Sequence, residues 1–166
     1  SPSEIGQWCE DNGVDAWFRM GGDLAVASAP AHEGGWDAML AIAERLAVDG
    51  AHVGLVARSA DALEEVAGRI RAHGGGATAL AADVTDPEAS RAAVRRFVGL
   101  QGRVDVLVNN AGVAYTVGIE NETLEQFELA LEVNTTAVWH LVKLIAPHMV
   151  ERGDGSIVNV ASMLGH

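Results

Sequence analysis

The chain has 166 residues, of which 49% are hydrophobic, and its formal net charge is −12. This length is enough for one domain with a sizeable core. The excess of acidic residues leaves no cationic stripe for a phosphate backbone, so the composition excludes nucleic acid as an expected partner. The apolar runs have the length of strands, so no transmembrane helix and no membrane partner are expected.

The N-terminal region differs in character from the rest of the chain. It has no basic stretch followed by an apolar segment, so no signal peptide is predicted. Cys9 is the only cysteine and has no internal disulfide partner, which favours a reducing, cytoplasmic location. Residues 1–22 show no clear hydrophobic period and are interpreted as a candidate appendage to a single domain over residues 1–166.

From there on, strand-like and helix-like segments alternate. The first strand is predicted within Asp23–Ala29, and a helix over Ala38–Asp49 is expected to end at Gly50. His52–Ala57 is apolar at nearly every position, as in a parallel strand that is covered on both faces. The elements predicted after it are the helix Ala60–His73 capped by Ser59, the strand Thr78–Val84, a helix from Asp86-Pro87 to about Val98, the strand Val104–Asn109, a helical region from Thr123 to about Arg152, and the strand Ile157–Ala161.

Strands separated by helices of this length predict parallel β-α-β units with right-handed crossovers. The expected fold class is therefore α/β, a doubly wound parallel sheet of the Rossmann-like type. In such sheets ligands bind at the carboxyl ends of the strands, close to the switch in strand order.

Two segments at predicted strand ends indicate a nucleotide site. Asn109 is followed by Asn110, Ala111 and Gly112, and these small residues allow the backbone to approach a bound nucleoside. The alternative is an unrelated turn.

Arg58 and Ser59 follow the second strand. A guanidinium at this position suits a 2′-phosphate, so NADP is predicted and NAD is the alternative. A solvated arginine at a helix start is the other interpretation of Arg58.

The segments VDVLVNNAGVAY (104–115) and GSIVNVASMLGH (155–166), in this order after Arg58, make residues 38–166 resemble the short-chain dehydrogenase/reductase family. The resemblance implies hydride transfer between a nicotinamide cofactor and a small carbonyl or alcohol substrate. It also implies that Asp83 accepts a hydrogen bond from the adenine amino group while Val84 packs on the ring. The alternative for Asp83 is a carboxylate that caps the local turn.

The same resemblance implies two catalytic residues in this chain. Ser162 is expected to orient the substrate carbonyl, and Asn134 is expected to hold a water in the proton relay. An asparagine inside a helical pattern also predicts a local irregularity of the backbone at Asn134. The alternatives are a serine at a strand end and a surface asparagine. The long helix resembles the one that builds dimer interfaces in this family, so a homo-oligomer is expected.

Two family motifs are missing. The stretch ASAPAHEGGWDAM (27–39) has no G-x-G, and it places Glu33 and Asp37 where phosphate is expected to bind. A pair of compensating frameshifts is one hypothesis for this segment. No Tyr-x-x-x-Lys occurs, since Tyr115 and Lys143 are the only residues of their types and neither fits the motif.

The Tyr and Lys of the family are expected beyond His166, so the chain is expected to be truncated and inactive alone. The alternative function is a non-catalytic module that binds a nucleotide or a protein.

His140 and His148 stand two helical turns apart without a nearby acid or cysteine cluster, and no metal site is expected.

Overall fold

In a computed structural model of the protein, the structure describes residues 24–27, 36–115, 118 and 120–161. The elements in chain order are β1 (Leu24–Ala27), α1 (Trp36–Val48), β2 (His52–Ala57), α2 (Ala60–Ala72), β3 (Gly76–Ala81), α3 (Pro87–Gln101), β4 (Val106–Asn109), α4 (Leu124–Leu131), a π-helical turn (Glu132–Ala137), α5 (Val138–Arg152) and β5 (Ser156–Asn159). The predicted alternation of strands and helices is confirmed.

The five strands form one parallel sheet in the order β3-β2-β1-β4-β5. The chain moves outward from β1 to β3 and then crosses back to β4, so the strand order switches between β1 and β4. Ala27, the last residue of β1, is in register with Asn109 of β4 and with Val56 of β2. The predicted doubly wound sheet is therefore present, with its switch point at these strand ends.

The core lies on both faces of the sheet. On one face α3 and α5 cover β3 and β4, and on the other α1 and α2 cover β2. Gly54 of β2 is required by this packing, because a Cβ there would stand 2.8 Å from the ring of Phe97 on α3. Phe97 is 1% exposed and among the most deeply buried side chains that the structure describes. A glycine in the strand thus makes room for the largest side chain of that core.

The helix starts predicted from capping residues are present. The Ser59 hydroxyl accepts a hydrogen bond from the Ala62 N–H at 3.3 Å, and the Asp86 carboxylate accepts from Glu88 and Ala89 before Pro87 opens α3. Thr123 caps α4 in a capping box with Gln126. These bonds satisfy backbone donors that a helix start leaves unpaired, which is why these residue types predicted the boundaries well.

The predicted end of the third strand was wrong. β3 ends at Ala81 and not at Val84, because its partner β2 ends at Ala57 and only the Ala82 N–H still reaches Ala57 O, at 2.9 Å. Asp83 and Val84 therefore lie in the loop that follows. The last strand likewise ends at Asn159 and not at Ala161, and α3 extends to Gln101, past the predicted Val98.

The long helical region predicted from Thr123 to Arg152 is present but is divided in the middle. A π-helical turn over Glu132–Ala137 separates α4 from α5 and contains Asn134. The predicted backbone irregularity at Asn134 is thus confirmed. No helix in the described part of the chain has the length and apolarity needed to span a bilayer.

Candidate nucleotide-binding site

The carboxyl ends of neighbouring strands bring the predicted site residues to one edge of the sheet. Arg58 directly follows β2, Asp83 is two residues beyond β3, and Asn110 directly follows β4. β1 ends between β2 and β4 at the switch in strand order. The topology therefore collects residues that are far apart in the chain at the place where doubly wound sheets bind ligands.

Arg58 is exposed at the first position after β2. It forms no hydrogen bond or salt bridge with the residues that the structure describes, although its charge acts on the carboxylate of Asp83. Ser59, also exposed, uses its hydroxyl to cap α2. An arginine whose guanidinium is not occupied by an acid is available for an anionic ligand.

Asp83 is half-buried and engaged by Thr85. Its Oδ1 accepts from the Thr85 N–H at 3.0 Å and from the Thr85 hydroxyl at 2.7 Å. Burial acts to raise the pKa of Asp83, but these two hydrogen bonds and the positive charge of Arg58 outweigh it, and the pKa lies below its ordinary value of 3.8. Asp83 therefore caps the local turn, as its alternative interpretation predicted, and no described residue donates to its Oδ2.

Val84 is 6% exposed and its side chain belongs to the core beneath α3. Its carbonyl oxygen accepts from the hydroxyl of buried Ser90, at 3.4 Å. The side chain is thus part of the protein interior, and the expected contact with an adenine ring stays a prediction.

The Asn109–Gly112 turn is connected to β5 through Asn109. The Asn109 Nδ2 donates to Asn159 Oδ1 at 2.8 Å, so an asparagine of this motif joins two adjoining strands. Asn109 is 4% exposed, and its Oδ1 has no hydrogen-bond partner among the described residues. Asn110, Ala111 and Gly112 are half-buried and follow the strand end without regular structure.

Asn134 binds the same turn from the π-helical side. Its Oδ1 accepts from the Val113 N–H at 2.9 Å, and its Nδ2 donates to the Val113 carbonyl at 2.8 Å. Asn134 is exposed, so the surface-asparagine interpretation is correct about its exposure, but its side chain is held in place. The structure thus brings Asn134 together with the turn after β4.

Other predicted residues are placed elsewhere or fall outside the described part. Ser162 and the stretch 28–35, which includes Glu33, lie outside the described residues. Lys143 is on α5, with its Nζ 4.7 Å from the centre of the Trp139 ring. Within the described ranges, no three acidic, histidine or cysteine side chains stand close enough to hold a metal ion.

Sequence reasoning missed three residues of this edge. They are Thr85, which holds Asp83, Val113, which Asn134 binds, and Asn159, which bonds to Asn109. Asn159 was detectable, because it is the one polar residue within the predicted strand Ile157–Ala161. Val113 acts through its backbone alone and leaves no signal in the sequence.

The chain matches the family model described as short chain dehydrogenase over residues 39–166. It belongs to the short-chain dehydrogenase family. The resemblance inferred from the motifs is thereby confirmed, together with the Rossmann-like fold.

Known relatives give the same assignment. The chain is 36% identical to a ketoacyl reductase, HetN, of Nostoc sp. over 124 residues, which are 75% of this chain and 43% of that protein. Among solved structures, it is similar to a metagenomic short-chain oxidoreductase in complex with NADP, with a TM-score of 0.76, 34% identity and coverage of 87% of this chain and 64% of the other.

An NAD⁺-bound xylitol dehydrogenase is also similar, with a TM-score of 0.75, 30% identity and coverage of 89% of this chain and 55% of the other. One neighbour thus carries NADP and another NAD⁺, so the family by itself leaves the choice of cofactor open. The chain spans about half the length of the curated relatives that it matches.

Proposed function

We propose that this chain is the nucleotide-binding part of an NADP-dependent oxidoreductase, acting on a small carbonyl or alcohol substrate. The observation that carries the proposal is Arg58, an exposed arginine without a described partner, at the end of the strand beside the switch point. At this position of a Rossmann-like sheet, an acid favours the ribose hydroxyls of NAD, and an arginine suits the 2′-phosphate of NADP. One similar structure is an NADP complex and another is NAD⁺-bound, so the assignment to NADP rests on Arg58.

Asp83 supports the adenine side of the site. Thr85 occupies its Oδ1, which leaves Oδ2 to accept a hydrogen bond from the adenine amino group. The lowered pKa keeps the carboxylate charged, and a charged acceptor forms the stronger bond. We propose that Arg58, Ser59, Asp83 and Val84 surround the adenosine half, and that Asn110, Ala111 and Gly112 lie along the nucleoside.

Asn134 and Ser162 are proposed for the reacting end. Bound nicotinamide would supply the hydride, and the protein would supply orientation. The carboxamide of Asn134 holds the turn after β4 through Val113, which supports a role in positioning that turn beside the reacting end. Ser162, three residues after β5, is proposed to orient the carbonyl oxygen of the substrate.

The test is a calorimetric titration of the chain with NADPH and with NADH. We expect NADPH to bind more tightly, and Arg58→Ala to weaken NADPH binding by about 10- to 100-fold, the loss for a charge-assisted hydrogen bond, with little effect on NADH. Arg71→Ala is the matched control, because Arg71 lies in the last turn of the same helix that Arg58 precedes and pairs with Glu64. NADPH binding by Arg58→Ala as tight as that of the unmodified chain would contradict the NADP assignment.

A second function is favoured by a specific observation. The stretch 27–39 lacks G-x-G and carries Glu33 and Asp37, and negative charges repel a pyrophosphate. A non-catalytic module that binds a nucleotide or a protein therefore stands as the alternative. If neither NADPH nor NADH binds, while the combined change Glu33→Gln and Asp37→Asn restores NADPH binding, acidic repulsion at this stretch is responsible.

We also propose that the chain assembles as a homo-oligomer through α4 and α5. Large apolar side chains are exposed along this helical region: Leu124 (65%), Phe127 (49%), Leu131 (47%) and Trp139 (55%). The first half carries the acids Glu125, Glu128 and Glu132, and the second half carries Lys143, His148 and Arg152 beside a single acid, Glu151. Two copies packed antiparallel about a two-fold axis would place acids beside bases and cover the apolar side chains.

Sedimentation of the chain with and without Phe127→Glu tests this assembly. The unmodified chain is expected to sediment as a dimer or larger species, and Phe127→Glu as a monomer, since it adds a charge in the middle of the apolar surface. Val48→Glu is the control, because Val48 is also exposed but lies at the end of α1. A monomeric unmodified chain would contradict the proposal.

A further inference from the structure

The loop that follows β3 is held by hydrogen bonds on both sides of Asp83. The Ala82 N–H donates to Ala57 O at 2.9 Å, which extends the pairing with β2 by one residue. The Asp86 N–H donates to Asp83 O at 3.1 Å and closes a turn. Between them the side chain of Val84 is buried in the core. The backbone of Asp83 is therefore fixed, and rotation of its side chain is what remains to decide where the carboxylate lies.

Thr85 restricts that rotation. Both of its donors, the N–H at 3.0 Å and the hydroxyl at 2.7 Å, bind the same oxygen, Asp83 Oδ1. Because a carboxylate is planar, two bonds to Oδ1 on a fixed backbone also limit the positions open to Oδ2. No described residue donates to Oδ2, and Arg58 acts on Asp83 through its charge without forming an ion pair with it. A half-buried acceptor in one position is thus left for a ligand.

An acceptor of this kind distinguishes between purine bases. Adenine carries an exocyclic amino group, which donates to a carboxylate oxygen, whereas hypoxanthine carries a carbonyl oxygen in the same place. A carbonyl that faces a charged carboxylate leaves both oxygens without a hydrogen bond and is repelled. A carboxylate that could rotate would avoid this clash, or would reach the neighbouring ring N–H of hypoxanthine. Discrimination between the two bases therefore requires that the carboxylate stays in one rotamer and stays ionised.

We propose that Thr85 is a positioning residue that makes the site select adenine over hypoxanthine, by holding Asp83 Oδ1 so that Oδ2 accepts from the adenine amino group. This inference rests on the proposed function, because it takes Asp83 as the acceptor for adenine. Burial raises the pKa of Asp83, and the two bonds from Thr85 together with the charge of Arg58 lower it below its ordinary value. The hydroxyl of Thr85 thus fixes the carboxylate and also helps to keep it ionised.

The experiment compares Thr85→Val and Thr85→Ser with the unmodified chain by NMR titration. The probes are adenosine 2′-phosphate and inosine 2′-phosphate, which differ in the base alone and lack the pyrophosphate that Glu33 and Asp37 are expected to repel. We expect the unmodified chain to bind the adenosine probe about tenfold more tightly, and Thr85→Val to reduce this preference by about three- to tenfold, the effect of one hydrogen bond to a charged group. Thr85→Ser keeps the hydroxyl and should keep the preference.

Ser90→Ala is the matched control for loosening of the loop. The Ser90 hydroxyl donates to Val84 O at 3.4 Å in the same loop and makes no bond to Asp83. This variant should lower the unfolding midpoint and leave the preference for the adenosine probe unchanged. A second readout needs no ligand, because the pKa of Asp83, followed through its carboxyl resonance, should rise in Thr85→Val and stay unchanged in Thr85→Ser.

The outcomes separate this inference from the proposed function. An unchanged preference or an unchanged pKa of Asp83 in Thr85→Val would overturn the inference, as would an equal loss of preference in Ser90→Ala. An unmodified chain that binds both probes equally, or binds neither, would overturn it as well. If the unmodified chain prefers the adenosine probe but does not bind NADPH, the proposed oxidoreductase alone is contradicted.

Discussion

Asn134 holds Val113 by both of its backbone groups, with the Val113 N–H donating to Asn134 Oδ1 at 2.9 Å and Asn134 Nδ2 donating to the Val113 carbonyl at 2.8 Å. This pair joins the π-helical turn to the segment that follows β4. A carboxamide carries one donor and one acceptor at a spacing that matches the N–H and carbonyl groups of Val113. No other side chain of the same length offers this pair of groups.

Replacing Asn134 is therefore expected to loosen the turn after β4. Asn134→Ala removes both bonds and should lower the free energy of unfolding by about 1–2 kcal/mol, at about 1 kcal/mol or less for each exposed bond. Hydrogen exchange at the Val113 amide should accelerate. Denaturant unfolding and exchange measurements check this, and Thr135→Ala in the same π-helical turn is the control. Similar effects of both variants would mean that the turn itself, and not the bond to Val113, is responsible.

Two glycine-to-alanine changes should act in opposite directions. Gly54→Ala places a Cβ 2.8 Å from the Phe97 ring and should destabilise the protein by about 1–3 kcal/mol, the usual cost of overpacking. Gly68→Ala is in the interior of α2, where an added Cβ would have no described atom within 4 Å beyond its own helix backbone, and it should stabilise by about 0.4–1 kcal/mol. Thermal unfolding of both variants measures the difference. A neutral Gly54→Ala would show that Phe97 can move aside at little cost.

The lowered pKa of Asp83 predicts a dependence of stability on pH. The carboxylate stabilises the folded state above its unfolded pKa, ordinarily 3.8, and this contribution is lost as the pH falls through the lower folded pKa. The unfolding free energy of Asp83→Asn should therefore decrease less steeply below about pH 4 than that of the unmodified chain. Unfolding free energies measured from about pH 6 to about pH 3 check this, and parallel curves for the two proteins would contradict it.

Arg152 is expected to matter more than other surface arginines. Its Nη2 donates to Val104 O at 2.9 Å, to Asp105 Oδ1 at 3.2 Å and to Asp154 O at 3.1 Å, which joins the end of α5 to the starts of β4 and β5. Arg152→Ala should cost about 1–3 kcal/mol of unfolding free energy, because backbone carbonyls lose a charged donor.

The control for Arg152 is Arg45→Ala. Arg45 pairs with Asp49 four residues along α1, and its side chain is 69% exposed. Such pairs contribute about 0.5 kcal/mol or less, so this variant should unfold close to the unmodified chain. Chemical denaturation of the two variants gives the comparison. If Arg152→Ala loses no more unfolding free energy than Arg45→Ala, water replaces the hydrogen bonds of Arg152 to the backbone carbonyls at little cost in stability.

Much of the fold was predictable because its signals are local. His52–Ala57 was predicted with the observed bounds, since a strand buried on both faces is apolar throughout. Ser59, Asp86 and Thr123 marked helix starts because their side chains bond to nearby backbone donors. The end of β3 was not predictable in this way, since it depends on where β2 ends and not on residues 82–84.

The candidate site was predictable in part for the same reason. Arg58, Asp83 and Asn110–Gly112 were selected because they follow apolar strands, and the sheet places all three at one edge. Ser162 is not tested by the described residues. Asn134 was selected by resemblance and by its place in a helical pattern, but its partner is a backbone group 21 residues away, which no pattern specifies.

The sequence by itself determined the order of strands and helices, the parallel sheet, the family, and the residue types that stand at the strand ends. These follow from hydrophobic periodicity, capping and short motifs, all of which act over a few residues. Only the tertiary structure decided that Thr85 engages one oxygen of Asp83, that Asn134 holds Val113, and that Asn109 and Asn159 meet at 2.8 Å. Each of these contacts depends on the register of strands and the phase of a helix, which are set when distant segments pack together.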